Sequence, residues 1–510
     1  MANNRQMAVN IMATIVAFAV STGITFFLTP FIVGRLGRAA YGFIGLSSSI
    51  IDYTSLITIA LNAMAGRFVS ISYMKGDKNL ANKYFSSVFF SNLFFAGVIF
   101  VLATFFLIYI DVLLDIPPEL LGDVRLLFGL LVLNSMLGLV TGEFGVATFI
   151  KNRLELSSIR NVIADFLRAA ILLIAFSCFA PHVWYIGLSG LILTVYTVIW
   201  NIKYRNRLTP DLRINIRDFD LAKVKELVLS GAWNIVTKLS NILSQGLDLL
   251  FANIFVGAAA MGTFSISKAV PMMVLGLMSA IAGVFAPQLT NYYAQGRNDL
   301  IVQELQKSIR VVSCFSTPIL CSLFVFSGDF YHLWLPGQDY KELWLLTVLG
   351  FIEMPFTLPQ EALWNVFTIT NKLKYSSLAL LGESVGVFCT ILILMNFVED
   401  HMQRLIILAC TRTVWALVRN TFFLPMYAAH CLKQRLITFY KYLLHSVLGL
   451  VVATGFCFLL RNLIHADSWL KLIIVILLSC IVGFSCNFFG TMTRHDRAYL
   501  LGKVGIHIKS

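Results

Sequence analysis

The feature that most constrains this chain is a recurrence of apolar stretches, each about 20 residues or longer and separated by short polar interruptions, between Met7 and Gly490. About 20 apolar residues in helical form span the roughly 30 Å hydrocarbon core of a bilayer, and about fourteen such stretches are present. A membrane interior cannot hydrogen-bond free peptide groups, so segments of this kind must be helical. Composition agrees. The chain is 58% hydrophobic and 13% charged, with a mean hydropathy of +0.80. These values exclude a soluble globular domain. The fold expected is an all-α polytopic membrane protein. The apolar stretch after MANNRQ exceeds the roughly 7–15 residues of a signal-peptide core, so it reads as a retained first helix.

The net charge of +13 does not point to nucleic acid, because Lys and Arg gather in alternate loops, as cytoplasmic loops do. Inner loops carry Arg67, Lys75, Lys78 and Lys83, then Lys151, Arg153 and Arg160, then Lys203, Arg205, Arg207, Arg213 and Arg217. Loops assigned outside carry Asp111, Asp115, Glu119 and Asp123. Both termini are therefore expected on the cytoplasmic side. Arg35 and Arg38 in the first outer loop depart from the pattern. The nine cysteines are scattered without CxxC or metal-ligand spacing, so neither a disulfide scaffold nor a metal site is expected.

The longest polar insert divides the chain. Residues 1–202 hold six spans, 203–228 form a cytoplasmic linker, 229–430 hold six more spans, and 431–510 hold two further spans and a tail. Within the linker, Asp218 or Asp220 can cap a short amphipathic helix with Leu221, Val224, Leu227 and Val228 on one face. AMAGRF (63–68) recurs as AIAGVF (280–285), each leading to KGDKNL or QGRNDL. The two halves read as repeats of the same orientation, which implies two pseudo-symmetric six-helix lobes plus two C-terminal helices.

Ionisable groups at bilayer depth cost about 2.5–3.5 kcal/mol each on insertion scales, so they must face a partner or a hydrated cavity. This chain places Asp52, Glu143, Asp165, Arg168, Lys238, Asp248, Lys268, Glu353, Glu361, Glu383, Arg412 and Arg419 within its spans. Asp165 and Arg168, three apart, are expected to form a structural ion pair. Arg412 and Arg419, seven apart, project one way about 10 Å apart along a helix. They suit phosphate oxygens, or else pair with Glu353, Glu361 or Glu383. Lys238 and Lys268 are the other candidate headgroup cations. Asp52, Asp248, Glu353 and Glu361 are candidate ion-coupling groups, since a carboxylate in a low-dielectric cavity can titrate. P-loop, dinucleotide, HExxH and GxSxG motifs are missing from the sequence, and outer loops are too short for a catalytic domain, so no enzymatic activity and no cofactor is expected. Energy would come from an ion gradient, of protons or sodium, or from the membrane potential, not from bound ATP.

The stretches FLTPFIVGRLGRAAYGFIGLSSSIIDY and RFVSISYMKGDKNLANKYFSSV, with GAWNIVTKLSNILSQGLDLLFANIFVGAAAMGTFSISKAV and FAPQLTNYYAQGRNDL in the second half, resemble the polysaccharide transporter family of O-antigen-type flippases. That family belongs to the multidrug/oligosaccharidyl-lipid/polysaccharide (MOP) exporter superfamily. The resemblance covers roughly the first 430 residues. It implies alternating access and transfer of an undecaprenyl-pyrophosphate-linked oligosaccharide from the cytoplasmic to the periplasmic leaflet of a bacterial inner membrane, with glycan polymerase or ligase machinery as partners. A multidrug or cation antiporter and a lipid II flippase of the same superfamily are the alternative readings. A membrane glycan polymerase or glycosyltransferase fits worse, for want of a large outer loop.

Overall fold

A computed structural model describes residues 2–56, 58–151, 153–370, 372–492 and 497. Among the described residues the regular elements are all helices, without a strand. Twelve helices among them are long and apolar enough to cross a membrane. Two of the about fourteen apolar stretches, residues 42–66 and 229–256, are built from shorter pieces. Ala2–Ser55 breaks at Gly37 (φ 82°, ψ 172°), and its second part is followed by Ile59–Met74. Residues 229–256 divide into Ala232–Asn241, a π turn Ile242–Gly246, and Asp248–Phe255.

The chain packs as two compact units, Met1–Gly262 and Thr263–Ser510. Residues 229–262, which the sequence groups with the second lobe, pack with the first unit. In that unit the Tyr53 hydroxyl donates to Gly246 O at 2.5 Å, and Asn253 Nδ2 donates to Asp115 O while its Oδ1 accepts from Asp115 N. Gly42 abuts Gly262, where a Cβ would stand 2.8 Å from the Gly262 nitrogen. Such close approach requires small residues at the crossing.

The repeat has a backbone signature. Gly76 (φ 84°) and Gly296 (φ 70°) both occupy the left-handed region, which glycine enters without the Cβ penalty. In the first copy Gly76 N bonds Tyr73 O and Asp77 N bonds Ser72 O; in the second Gly296 N bonds Tyr293 O and Arg297 N bonds Tyr292 O. One helix-stop geometry thus closes both copies. The same spacing separates Gly37 from Gly257, the latter also at positive φ.

The linker helix Leu221–Ser230 starts at Asp220, whose side chain accepts from Ala222 N at 2.9 Å. Leu227 is fully buried beneath the first unit's helices, with Val224 and Val228 beside it, whereas Leu221 is exposed. Lys223 Nζ lies 2.9 Å from Glu226 Oε2, which also accepts from the Tyr84 hydroxyl at 3.0 Å. Asp211 anchors the preceding stretch through Lys78 Nζ at 2.8 Å.

In the second unit the two C-terminal helices, Tyr440–Leu463 and Trp469–Gly490, pack against Asn298–Trp334. A Cβ at Gly483 would lie 2.9 Å from Pro318 Cα. Asn487 Nδ2 donates to Thr317 Oγ1 at 2.5 Å. In lipid, where apolar contact alone gives helices no preference for one another, small residues and interhelical hydrogen bonds hold such a seam.

Candidate functional site

The second unit concentrates charged side chains within its membrane-crossing helices. Residues 340–369 are not one regular helix: Tyr340–Phe351 gives way to Met354–Thr357, a 3-10 segment Leu358–Leu363, and Trp364–Ile369. Pro355 and Pro359 cannot donate backbone hydrogen bonds, which accounts for the interruptions. This irregular segment carries Glu353, buried, and Glu361, half-buried. The facing helix His401–Val418 runs into a π turn, Arg419–Phe423, a distortion frequent at functional sites. Pro425 lacks the N–H that would serve the carbonyls one turn back. Instead Tyr440 donates its hydroxyl to Thr421 O at 2.5 Å, and Gln360 Nε2 donates to Asn420 O at 2.8 Å.

On this frame both arginines meet carboxylates. Arg419 Nη1 lies 2.5 Å from Glu383 Oε2, with side-chain exposures of 15% and 6%. Arg412 Nη2 lies 4.0 Å from Glu353 Oε1, a looser contact. Arg419 also has its guanidinium 5.7 Å from the Trp364 ring centroid and interacts electrostatically with Glu361. Glu361 Oε1 accepts from Ser279 Oγ at 2.9 Å. Glu353 Oε2 accepts from Thr357 Oγ1 at 2.5 Å, and Thr357 Oγ1 in turn accepts from Asn420 Nδ2. Two guanidinium groups, three carboxylates and a set of hydroxyl and amide groups form one polar network. Buried charges are ordinarily paired in this way, and such a network can exchange one anionic partner for another.

The structure therefore brings together Arg412, Arg419, Glu353, Glu361 and Glu383, and adds Ser279, Thr357 and Asn420. Spacing along one helix relates the arginines. Nothing in a single sequence could assign each its carboxylate, which comes from a different helix. Lys268 belongs to the same unit, its Nζ 5.6 Å from the Phe264 ring centroid. Lys238 and Asp248 belong to the first unit, half-buried and buried respectively, and each is engaged with other groups. The side chain of Asp52 lies outside the described ones. Asp165 and Arg168 interact electrostatically, but among the described residues they make no ion contact within 4.0 Å, and Arg168 Nε is buried without a hydrogen-bond partner. A spacing of three places them on one face without forcing the side chains to meet. Among the described residues no cluster of three His, Cys, Asp or Glu could hold a metal ion.

Residues 32–343 match a protein family described as "Polysaccharide biosynthesis protein". Over 471 residues the chain is 27% identical to a protein of Bacillus subtilis (strain 168) named uncharacterized membrane protein EpsK, an alignment covering 92% of each. Among solved structures, the fold is similar to that of the lipid II flippase MurJ in an inward closed conformation, with TM-score 0.68 and 12% identity over 94% of this chain and 99% of that one. It is also similar to an inward-facing multidrug resistance MATE family transporter of the MOP superfamily, with TM-score 0.65 and 15% identity over 84% of this chain and 98% of the other. Likeness at these identities concerns the fold.

Proposed function

We infer the activity from the fact that this chain belongs to the family of polysaccharide biosynthesis proteins, as a multi-pass membrane protein with the flippase-type fold of the MOP superfamily: it moves an undecaprenyl-pyrophosphate-linked oligosaccharide across the bacterial inner membrane by alternating access. Family and fold point to transport rather than catalysis. The observation that carries the reading is the pair of arginines, Arg412 and Arg419, held within a membrane-crossing helix against Glu353 and Glu383. A guanidinium fork matches phosphate oxygens as well as it matches a carboxylate.

Pyrophosphate arriving at this network competes with the carboxylates for the arginines. A carboxylate that loses its arginine while still shielded from water is destabilised as an anion, and uptake of a proton relieves it. Headgroup binding and proton uptake are thereby linked, and gradient energy enters without ATP. Lys238 and Lys268 add cationic contacts to the headgroup, Asp52 and Asp248 are further coupling candidates, and both termini face the cytoplasm. Glycan polymerase or ligase machinery takes the product on the outer side.

A second reading, a multidrug or cation antiporter, is favoured by one observation: in the network the carboxylates Glu353, Glu361 and Glu383 outnumber the arginines. A deletion strain separates the two. Loss of surface polysaccharide with accumulation of the cytoplasm-facing lipid-linked repeat is expected for the flippase. Normal glycan export with altered drug susceptibility is expected for the antiporter.

A further inference from the structure

The first unit holds a cavity of about 550 Å³ between the Ile59–Met74 helix and the Gly142–Gly145 turn with the residues that follow it. Arg67 and Glu143 both line it. Among the described residues neither side chain has a hydrogen bond or ion pair, although charges sharing a cavity in a membrane protein ordinarily pair. The remaining walls are Asn62 and Ser70 on the polar side and exposed Ile71, Met74 and Phe149 on the apolar side. Basic residues flank the cavity: Arg67 is about two turns before the helix end at Met74, Lys75 and Lys78 follow that end, and Lys151 and Arg153 follow the other wall.

We propose that this cavity binds the zwitterionic headgroup of an aminophospholipid from the surrounding bilayer, with its phosphate on Arg67, its ammonium on Glu143, and its acyl chains leaving over Ile71, Met74 and Phe149. One cation and one carboxylate complement a ligand that carries both signs. A headgroup with only negative charge would meet repulsion from Glu143. A quaternary ammonium headgroup carries the right charge but has no N–H to donate to the carboxylate, so it loses the charge-assisted hydrogen bonds that an ammonium makes. Apolar side chains exposed beside the charges supply the shelf that acyl chains need. The site is independent of the glycan reading, since it lies within the first unit and uses none of the arginine–carboxylate network.

The test is native mass spectrometry of the purified full-length protein titrated separately with phosphatidylethanolamine, phosphatidylglycerol and phosphatidylcholine. Wild type is expected to retain phosphatidylethanolamine about tenfold more tightly than the other two, a difference of about 1.4 kcal/mol. Glu143→Gln removes that preference, while Arg67→Gln weakens all three phosphate-bearing lipids alike. Equal retention of the three lipids by wild type overturns the proposal without recourse to any variant. So does unchanged selectivity in a Glu143→Gln protein that keeps the wild-type melting temperature. Displacement of the bound lipid by a polyprenyl-pyrophosphate sugar at equal concentration would also overturn it, and would make the cavity a substrate entry.

Discussion

Arg419 reaches across from its π turn to Glu383 on the neighbouring Leu373–Met395 helix, Nη1 to Oε2 at 2.5 Å, with both side chains mostly buried. Removing one member of a buried pair leaves the other charge uncompensated, at about 3–5 kcal/mol, whereas replacing both with apolar residues can be near neutral. Arg419→Met and Glu383→Leu are each expected to lower the melting temperature clearly. The double variant should recover most of the loss while remaining unable to transport. Thermal unfolding of the four proteins in one detergent checks this. Additive losses in the double variant would mean that the pair is not the energetic unit described.

The seam between Asn298–Trp334 and Trp469–Gly490 depends on Gly483, where a Cβ would come within 2.9 Å of Pro318 Cα and 3.2 Å of Cys321 Sγ. Backbone cannot yield as a side-chain tip can, so Gly483→Leu must separate the helices. Overpacking of this kind costs about 1–3 kcal/mol. Gly455, whose Cβ would meet nothing within 4 Å, is the control: Gly455→Leu should leave the melting temperature close to wild type while Gly483→Leu lowers it.

The linker is held by partly exposed carboxylates whose pKa values lie below the ordinary carboxyl range. The hydrogen bond from Lys78 holds Asp211 down. That from Lys223, helped by Tyr84, does the same for Glu226. A carboxyl whose pKa is depressed on folding contributes stability above its unfolded value and loses it as pH falls through the folded one. Protection of residues 209–230 from hydrogen exchange, corrected for intrinsic rate, should hold at neutral pH and decline below about pH 4. Asp211→Asn should remove part of that pH dependence, and Asp211→Asn with Glu226→Gln nearly all of it.

The class of fold was legible because bilayer depth leaves helix as the sole option for long apolar runs. The repeat was legible where it shows in short motifs, and Gly76 and Gly296 give it a shared backbone geometry. The spacing of Arg412 and Arg419 revealed a shared helical face, yet Glu353 and Glu383 as their respective partners depend on helix neighbours that no periodicity specifies. Pro355 and Pro359, which cannot donate backbone hydrogen bonds, stand where residues 340–369 depart from a regular helix. The π turn at Arg419–Phe423 has no comparable sequence signature, since its carbonyls are satisfied by Tyr440 and Gln360 from elsewhere. The placing of residues 229–262 in the first unit rests on contacts such as Gly42 with Gly262, equally invisible in one sequence. Arg67 read as a loop charge and Glu143 as one buried acid among many, and only the folded unit shows that they share a cavity.

The most direct measurement is translocation of purified undecaprenyl-pyrophosphate oligosaccharide in proteoliposomes, with and without an imposed proton or sodium gradient. Wild type would be compared with Lys238→Ala plus Lys268→Ala and with Arg412→Gln plus Arg419→Gln. Gradient-stimulated translocation is expected for wild type, falling by at least about tenfold in each double variant through the loss of one or more charge-assisted phosphate contacts. Folded wild-type protein that translocates nothing under any gradient would contradict the flippase reading.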